Sequence, residues 1–305
     1  MANGKVEACG ICGGNLRPFL DLGFQPLAER FDTQDTYPLN LVRCELCSLV
    51  QLDYIVDQKT LFPQHHPYAT GNSMALAEHY RDLAHDIDRR FGVAMGRLAI
   101  DIGANDGTLV EEMARRGYTA LGVEPTGQIE TLLTRGPGLS MDGVQAFFTL
   151  PLARQLRKEC GPARIITANN VLAHVPGPHD FMLGVTELMN ADSVFITENH
   201  DLASITDGLQ YDTVYHEHLR YYSLASLSHL MAMHGLEIFS VERTDMHGGS
   251  FRVCARLEAR NVQARATTEA EALHKLLSRI TDAGGVVYGV GATTRATPLI
   301  HYARL

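Results

Sequence analysis

The sequence predicts an α/β protein: a small, metal-stapled N-terminal segment followed by a doubly wound parallel sheet with helices on both faces. Three observations carry this. Two Cys-x-x-Cys pairs occupy a turn-rich stretch before residue 50. From Arg97 onward, short apolar runs alternate with amphipathic ones. The composition of the 305 residues, 45% apolar and 20% charged, is that of an ordinary globular chain long enough for about two domains. It excludes collagen, a disordered tail and a disulfide-dense miniprotein. The formal charge of −9 argues against a general nucleic-acid binder. No apolar run approaches the roughly 18–20 residues of a membrane span, and the opening MANGKVEACGICGGN lacks the apolar stretch of a signal peptide. The expectation is a cytoplasmic protein that acts on a small molecule, with neither nucleic acid nor membrane as partner.

Residues 1–65 scatter Gly10, Gly13, Gly14, Pro18, Gly23, Pro26 and Pro38 among short apolar runs, the pattern of a segment too small to fold on its own core. A helix over 72–90 follows, with Met74, Ala77, Tyr80, Leu83 and Ile87 at helical spacing and Asn72 or Ser73 as cap. RLAIDIG reads as a buried strand, TLVEEMARRG as a helix ended by Gly117, and YTALGVE as the next strand. ARIITANN and SVFITEN continue the sheet. SLASLSHLMAMHG reads as a helix leading into LEIFSVER and SFRVCARLE, an antiparallel pair across a turn at Gly248-Gly249. This second domain is expected over 66–260. A polar helix from about 262 to 282 and a strand in GGVVYGVGATTRAT then begin a third, over 261–305, that reads as broken off.

Cys9-Gly-Ile-Cys12 and Cys44-Glu-Leu-Cys47 place two thiolates on each of two tight turns, which together close a tetrahedral S4 shell for a structural Zn²⁺. The competing readings are a redox pair and four unrelated thiols. A redox Cys-x-x-Cys belongs at a helix start in a thioredoxin-like unit, which is absent here. Cys160 and Cys254 read as packing thiols.

Asp101-Ile-Gly103-Ala-Asn105-Asp106-Gly107 follows a strand and opens a helix without forming GxGxxG. Asp101 and Asp106 repel an anionic pyrophosphate, so the loop suits a cationic ligand. Glu124 ends the next strand, followed by Pro125, where an acidic side chain takes both hydroxyls of a ribose. A nucleoside carrying positive charge is S-adenosylmethionine. Asn169 and Asn170 fall over the same crevice. The plain alternative, a glycine-packed turn, leaves both aspartates unexplained. Tyr215-His216-Glu217-His218 and His174 gather imidazole, carboxyl and phenol groups suited to general acid–base work. HExxH spacing is absent, and the competing reading is a polar loop with packed aromatics.

CxxC…CxxC, YATGNS, DIGANDG, AHVP, YHEHLRYYS, HGGSFR and VYGVGA, in this order, resemble the zinc-containing, adenosylmethionine-dependent sugar C-3′-methyltransferases of antibiotic deoxysugar pathways. The resemblance covers essentially the whole chain. It implies a zinc domain, a class I (Rossmann-like) methyltransferase domain and a C-terminal Rossmann-like domain that helps hold a nucleotide sugar. It also implies methylation at the carbon beside the ketone of a nucleotide-linked 4-keto-6-deoxy sugar. By it His218 matches the base and Glu217 its neighbour, with Tyr215, His174 and Tyr68 as supporting groups. Glu198, His200, His247 and Arg252 are candidate substrate contacts. The sequence departs from the family in length, being about a hundred residues shorter than usual, and in having His216 before Glu217 where an acid is usual. The alternatives are O-methylation of a sugar or other natural-product acceptor, and a non-catalytic zinc-and-Rossmann binding module.

Overall fold

The computed structural model describes residues 3–28, 35–64, 69–92, 95–134, 136 and 138–286. Tyr68, and the strand expected beyond residue 286, lie outside the described residues. Residues 1–256 form one compact unit and 257–305 a second.

In the first unit, β1 (Gly4–Lys5) opens the chain, and β2 (Leu16–Pro26), β3 (Thr36–Cys44) and β4 (Val50–Leu52) form an antiparallel meander. β5 (Tyr54–Ile55) returns against β1. Helix α1 (Gln58–Leu61) is capped by the Asp57 carboxylate. Helix α2 (Met74–Phe91) starts two residues later than the sequence suggests, because Asn72 ends a short 3₁₀ turn and the Ser73 hydroxyl accepts the Leu76 amide. Leu83, Ala84 and Ile87 on its inner face are buried against the α/β core.

The strand–helix alternation forms as expected. β6 (Leu98–Ile102), α3 (Thr108–Arg115), β7 (Thr119–Glu124), α4 (Ile129–Thr134), β8 (Met141–Gln145), α5 (Leu150–Cys160), β9 (Ile165–Asn169), α6 (Pro178–Leu188) and β10 (Val194–His200) follow in order. Every residue of β6 and β9 is buried, as strands covered on both faces require. After α7 (Leu202–Asp207) and β11 (Arg220–Tyr221), α8 (Leu224–Met233) leads into β12 (Leu236–Thr244) and β13 (Ser250–Leu257). The order across the seven-stranded sheet is β12-β13-β10-β9-β6-β7-β8, with β13 antiparallel to β10. Direction of travel reverses between β6 and β9, and a ligand crevice opens at such a switch point, off the carboxyl ends of the strands. The Cys254 thiol is buried, whereas Cys160 is exposed, so only the first of these two packs.

β11 departs from the layout expected with a domain boundary at residue 65. It joins the N-terminal sheet, Tyr221 opposite Val50 and Arg220 opposite Gln51. Leu39, Leu41, Val50 and Leu52 share one apolar cluster with Ile205, Val214, Leu219 and Tyr221, so the two segments have a common core. The second unit, taken by itself, contains α9 (Ala259–Asp282), which covers the polar helix read from the sequence.

Glu198 on β10 faces Arg252 on β13, with Arg252 Nε and Nη2 donating to the carboxylate at 3.0 and 2.8 Å, and His79 of α2 contacts the same carboxylate at 2.8 Å. Burial alone would raise the Glu198 carboxyl; His79 and Arg252 hold it below its ordinary value. Removing one partner leaves the other charge buried and unpaired. Glu198→Leu is therefore expected to cost about 3–5 kcal/mol, read as a lower urea midpoint at unchanged slope; a loss under about 1 kcal/mol, the worth of an exposed pair, would mean that the pair is hydrated.

Candidate active site

The four cysteines converge. The Sγ atoms of Cys9, Cys12, Cys44 and Cys47 all lie within 4.8 Å of one another, with Cys9–Cys47 at 3.5 Å and Cys12–Cys44 at 3.4 Å. Four thiolates at about 2.3 Å from one zinc ion stand about 3.8 Å apart, so the cluster fits the metal. The Ile11 amide points at the Cys9 sulfur and the Leu46 amide at the Cys44 sulfur, both at 3.4 Å. Each knuckle is followed by a left-handed residue, Gly13 (φ +69°) and Ser48 (φ +61°), which turns the chain back over the metal position.

A cavity of about 910 Å³ occupies the switch-point crevice, near the upper end of the about 300–1,000 Å³ usual for small-molecule sites. On one side it is lined by Gly103, Asn105, Glu124, Pro125, Asn169 and Asn170. Gly103 is left-handed (φ +74°), and a Cβ there would stand 2.4 Å from Val171 Cγ2, so no larger residue fits. Glu124 accepts from the amides of Asn105 (3.0 Å) and Thr126 (2.9 Å) and from the Thr126 hydroxyl (2.7 Å). Oε1 is thus filled, and Oε2 keeps a lone pair for a further donor. Asn169 is buried at the end of β9 with neither its amide nitrogen nor its oxygen paired, a donor and an acceptor awaiting a ligand. This glycine cradle, acidic strand end and vacant carboxamide fit a nucleoside with a cationic centre.

Three residues read as cofactor contacts are not in the cavity lining. The buried Asp101 carboxyl accepts from the Thr167 hydroxyl at 2.6 Å, and burial pushes its pKa up to about 7. Asp106 accepts from the Thr108 amide and hydroxyl and from the Gly71 amide, so it caps α3 and ties down the loop before α2. Gly107, at φ +82°, is kept bare by Leu132, which a Cβ would meet at 2.6 Å. These residues shape the loop. Glu198 and Arg252 likewise serve the buried pair with His79, a residue sequence reasoning passed over because a lone histidine on a helix carries no motif.

On the other side the cavity is lined by His174, Tyr215, Glu217, His218, His200 and His247. The Thr213 carbonyl, an acceptor only, stands 2.9 Å from His218 Nδ1, which must therefore carry the proton. That leaves Nε2 as the lone-pair nitrogen, and the Tyr215 hydroxyl donates to it at 2.9 Å. Burial pushes the His218 pKa well below its ordinary value, and nearby His174 adds to this. Burial also lowers His200 and His247. The His174 ring packs edge-on against His218, centroids 4.9 Å apart, and against Phe62 from the N-terminal segment at 5.6 Å. His216, two residues from His218, is not in the lining; it is buried against Tyr37.

Residues 76–241 match a family model described as "Methyltransferase domain", and residues 9–62 one described as "Putative zinc binding domain". The first match spans more than half of the chain, and the chain belongs to that methyltransferase family; its fold is the class I adenosylmethionine-dependent one, preceded by the zinc-binding segment. The chain is 30% identical over 271 residues to the C-methyltransferase NovU of Streptomyces niveus, covering 85% of this chain and 63% of that protein. It is also 30% identical over 121 residues to a ubiquinone biosynthesis O-methyltransferase of Escherichia coli, covering 38% of this chain and 48% of that one. The chain thus spans less than two thirds of these relatives' length. Among solved structures, one chain of the complex between the Haloferax volcanii Trm112 methyltransferase activator and a methyltransferase shares the fold: TM-score 0.50, 10% identity, 62% of this chain and 94% of that chain covered. Among the described residues no helix is long and apolar enough to cross a membrane.

The purified protein is expected to hold one zinc per chain by elemental analysis, and Cys44→Ser to lose most of it. Wild-type zinc content in that variant would remove Cys44 from the ligand set.

Proposed function

We propose that the chain transfers a methyl group from adenosylmethionine to the carbon beside the ketone of a nucleotide-linked 4-keto-6-deoxy sugar, at C-3, with His218 as the base. The observation that carries this reading is the Thr213–His218–Tyr215 chain, which presents a neutral imidazole lone pair and a phenol in the same cavity as the Gly103–Glu124 cradle. The match to a protein named as a C-methyltransferase supports carbon as the acceptor. Uncharged imidazoles around the acceptor side suit a polyhydroxylated or keto ring, which is neutral and rich in hydrogen-bonding oxygens.

Bound against Glu124 and Asn169, adenosylmethionine supplies an electrophilic sulfonium methyl. A carbon acid beside a ketone needs a base and a partner for the enolate oxygen. The Tyr215 hydroxyl, resting on Nε2, turns to the ketone oxygen and frees the nitrogen lone pair. Nε2 takes the α-proton, the C–H electron pair forms the enolate, and Tyr215 and His174 hydrogen-bond to its oxygen. Glu217 lies alongside in the lining and completes the polar wall. Holding the nucleophilic carbon in line with the methyl is the remaining contribution of the site. The 121-residue match to an O-methyltransferase favours a second reading, in which the same Nε2 deprotonates a hydroxyl.

His218→Asn should leave adenosylmethionine affinity nearly unchanged and lower turnover by about 10²–10⁴-fold. Without methyl donor, the wild type should exchange the C-3 proton of a nucleotide 4-keto sugar with deuterated water, and the variant should not. Equal exchange in both proteins moves the base elsewhere; turnover of an acceptor that has no exchangeable C–H selects the oxygen reading.

A depressed pKa keeps His218 unprotonated, and so able to accept a proton, as the pH falls through about 6.5, where a free histidine takes one up. The acid limb of kcat/KM is expected to have its midpoint below 6.5. A midpoint at or above that value would exclude His218 as the titrating base.

A further inference from the structure

Arg220 is 4% exposed, yet no carboxylate among the described residues pairs with it. Its guanidinium donates instead to two main-chain carbonyls, Val175 and, at 2.9 Å, Pro176, in the turn directly after His174. Nε is buried without a partner. The neighbouring Tyr222 phenol cannot supply the missing charge, since burial raises its pKa to about 12. A desolvated cation held only by neutral dipoles costs several kcal/mol, so an anion is missing from the account.

The other side of the guanidinium shows where it lies. Arg220 packs on the bare Cα of Gly10, inside the first zinc knuckle; a Cβ there would stand 2.7 Å from Nη2 and 3.2 Å from Nε. Gly10 is fixed from the same strand pair, its amide donating at 2.9 Å to Gln51, the residue opposite Arg220 in the β4–β11 pairing. Four thiolates around one Zn²⁺ carry a net charge of −2. The tetrathiolate and the buried guanidinium carry opposite charge and meet at Gly10.

We propose that Arg220 is the counter-charge of the zinc tetrathiolate and the strap through which the metal site positions the His174 turn. The guanidinium meets the knuckle at Gly10 through Nη2 and Nε and donates in its own plane to the carbonyls of Val175 and Pro176. His174 precedes those carbonyls by one and two residues, and its ring rests on His218. Arg220 touches no reacting atom in this scheme. It is a positioning residue that acts through His174.

The test is zinc release to EDTA, followed with a colorimetric zinc indicator, in full-length wild type, Arg220→Lys and Arg220→Gln. Outer partners of metal ligands typically account for about 10–100-fold in metal affinity. Arg220→Gln keeps a hydrogen-bond donor but no charge and should release zinc at least 10-fold faster. Arg220→Lys keeps the charge and should stay within about 3-fold of wild type. Release of wild-type character in Arg220→Gln, or equal loss in both variants, overturns the counter-charge. If Arg220→Gln does not fold, hydrogen exchange on the wild type decides. Removing zinc should then raise exchange at residues 172–177 while β9 stays protected. A rise confined to the residues before 65 overturns the strap.

Discussion

The segment that carries Tyr215, Glu217 and His218 is held in place by the N-terminal sheet. Arg220 and Tyr221, two and three residues after His218, are a strand of that sheet, opposite Gln51 and Val50. The Leu52 amide takes the Leu219 carbonyl at 3.0 Å, one residue beyond the imidazole of His218. The meander thus takes up the backbone groups at the end of this loop, and it is a small segment with little core of its own. Zinc binding is folding energy for such a segment. The four-cysteine site staples the sheet against which the His218 segment is paired.

The cavity inherits its electrostatics from that assembly. Phe62 from the N-terminal segment closes over His174, and His174, His200 and His247 surround His218. Burial makes the charged forms of His200, His218 and His247 costly, so these rings favour the neutral state. On the donor side the lining carries the Glu124 carboxyl, and the buried Asp101 carboxyl on the neighbouring strand is pushed up to about 7 by burial. One crevice therefore carries an acidic side chain on its Gly103 side and neutral, hydrogen-bonding imidazoles on the other. The two are separated by little more than Asn169 and Asn170 at the end of β9.

Most strands of the parallel sheet were legible because burial on both faces writes itself as short, mostly apolar runs, as in LAIDI and IITAN. β8 was missed, because an edge strand such as MDGVQ is half solvated and carries a glycine and an aspartate. The cofactor loop could be located from DIGANDG and Glu124, but which of its residues face the ligand could not. Asp106 has the same composition-level meaning whether it points to a ligand or, as it does, to the Gly71 amide.

The sequence by itself determined the zinc set and the class of fold, since both rest on short-range patterns: fixed Cys-x-x-Cys spacing, and hydrophobic runs with a period. It also marked His218 through the density of titratable groups around it. Only the tertiary structure decided that β11 belongs to the N-terminal sheet, that His216 and His218 face different surroundings, and that His79, Glu198 and Arg252 meet. These are contacts across 119, 173 and more residues of chain, set by packing that no local pattern encodes. The protonation of His218 was decided there too, because Nδ1 is assigned by one carbonyl, that of Thr213, and the direction of that carbonyl depends on how the whole loop is anchored.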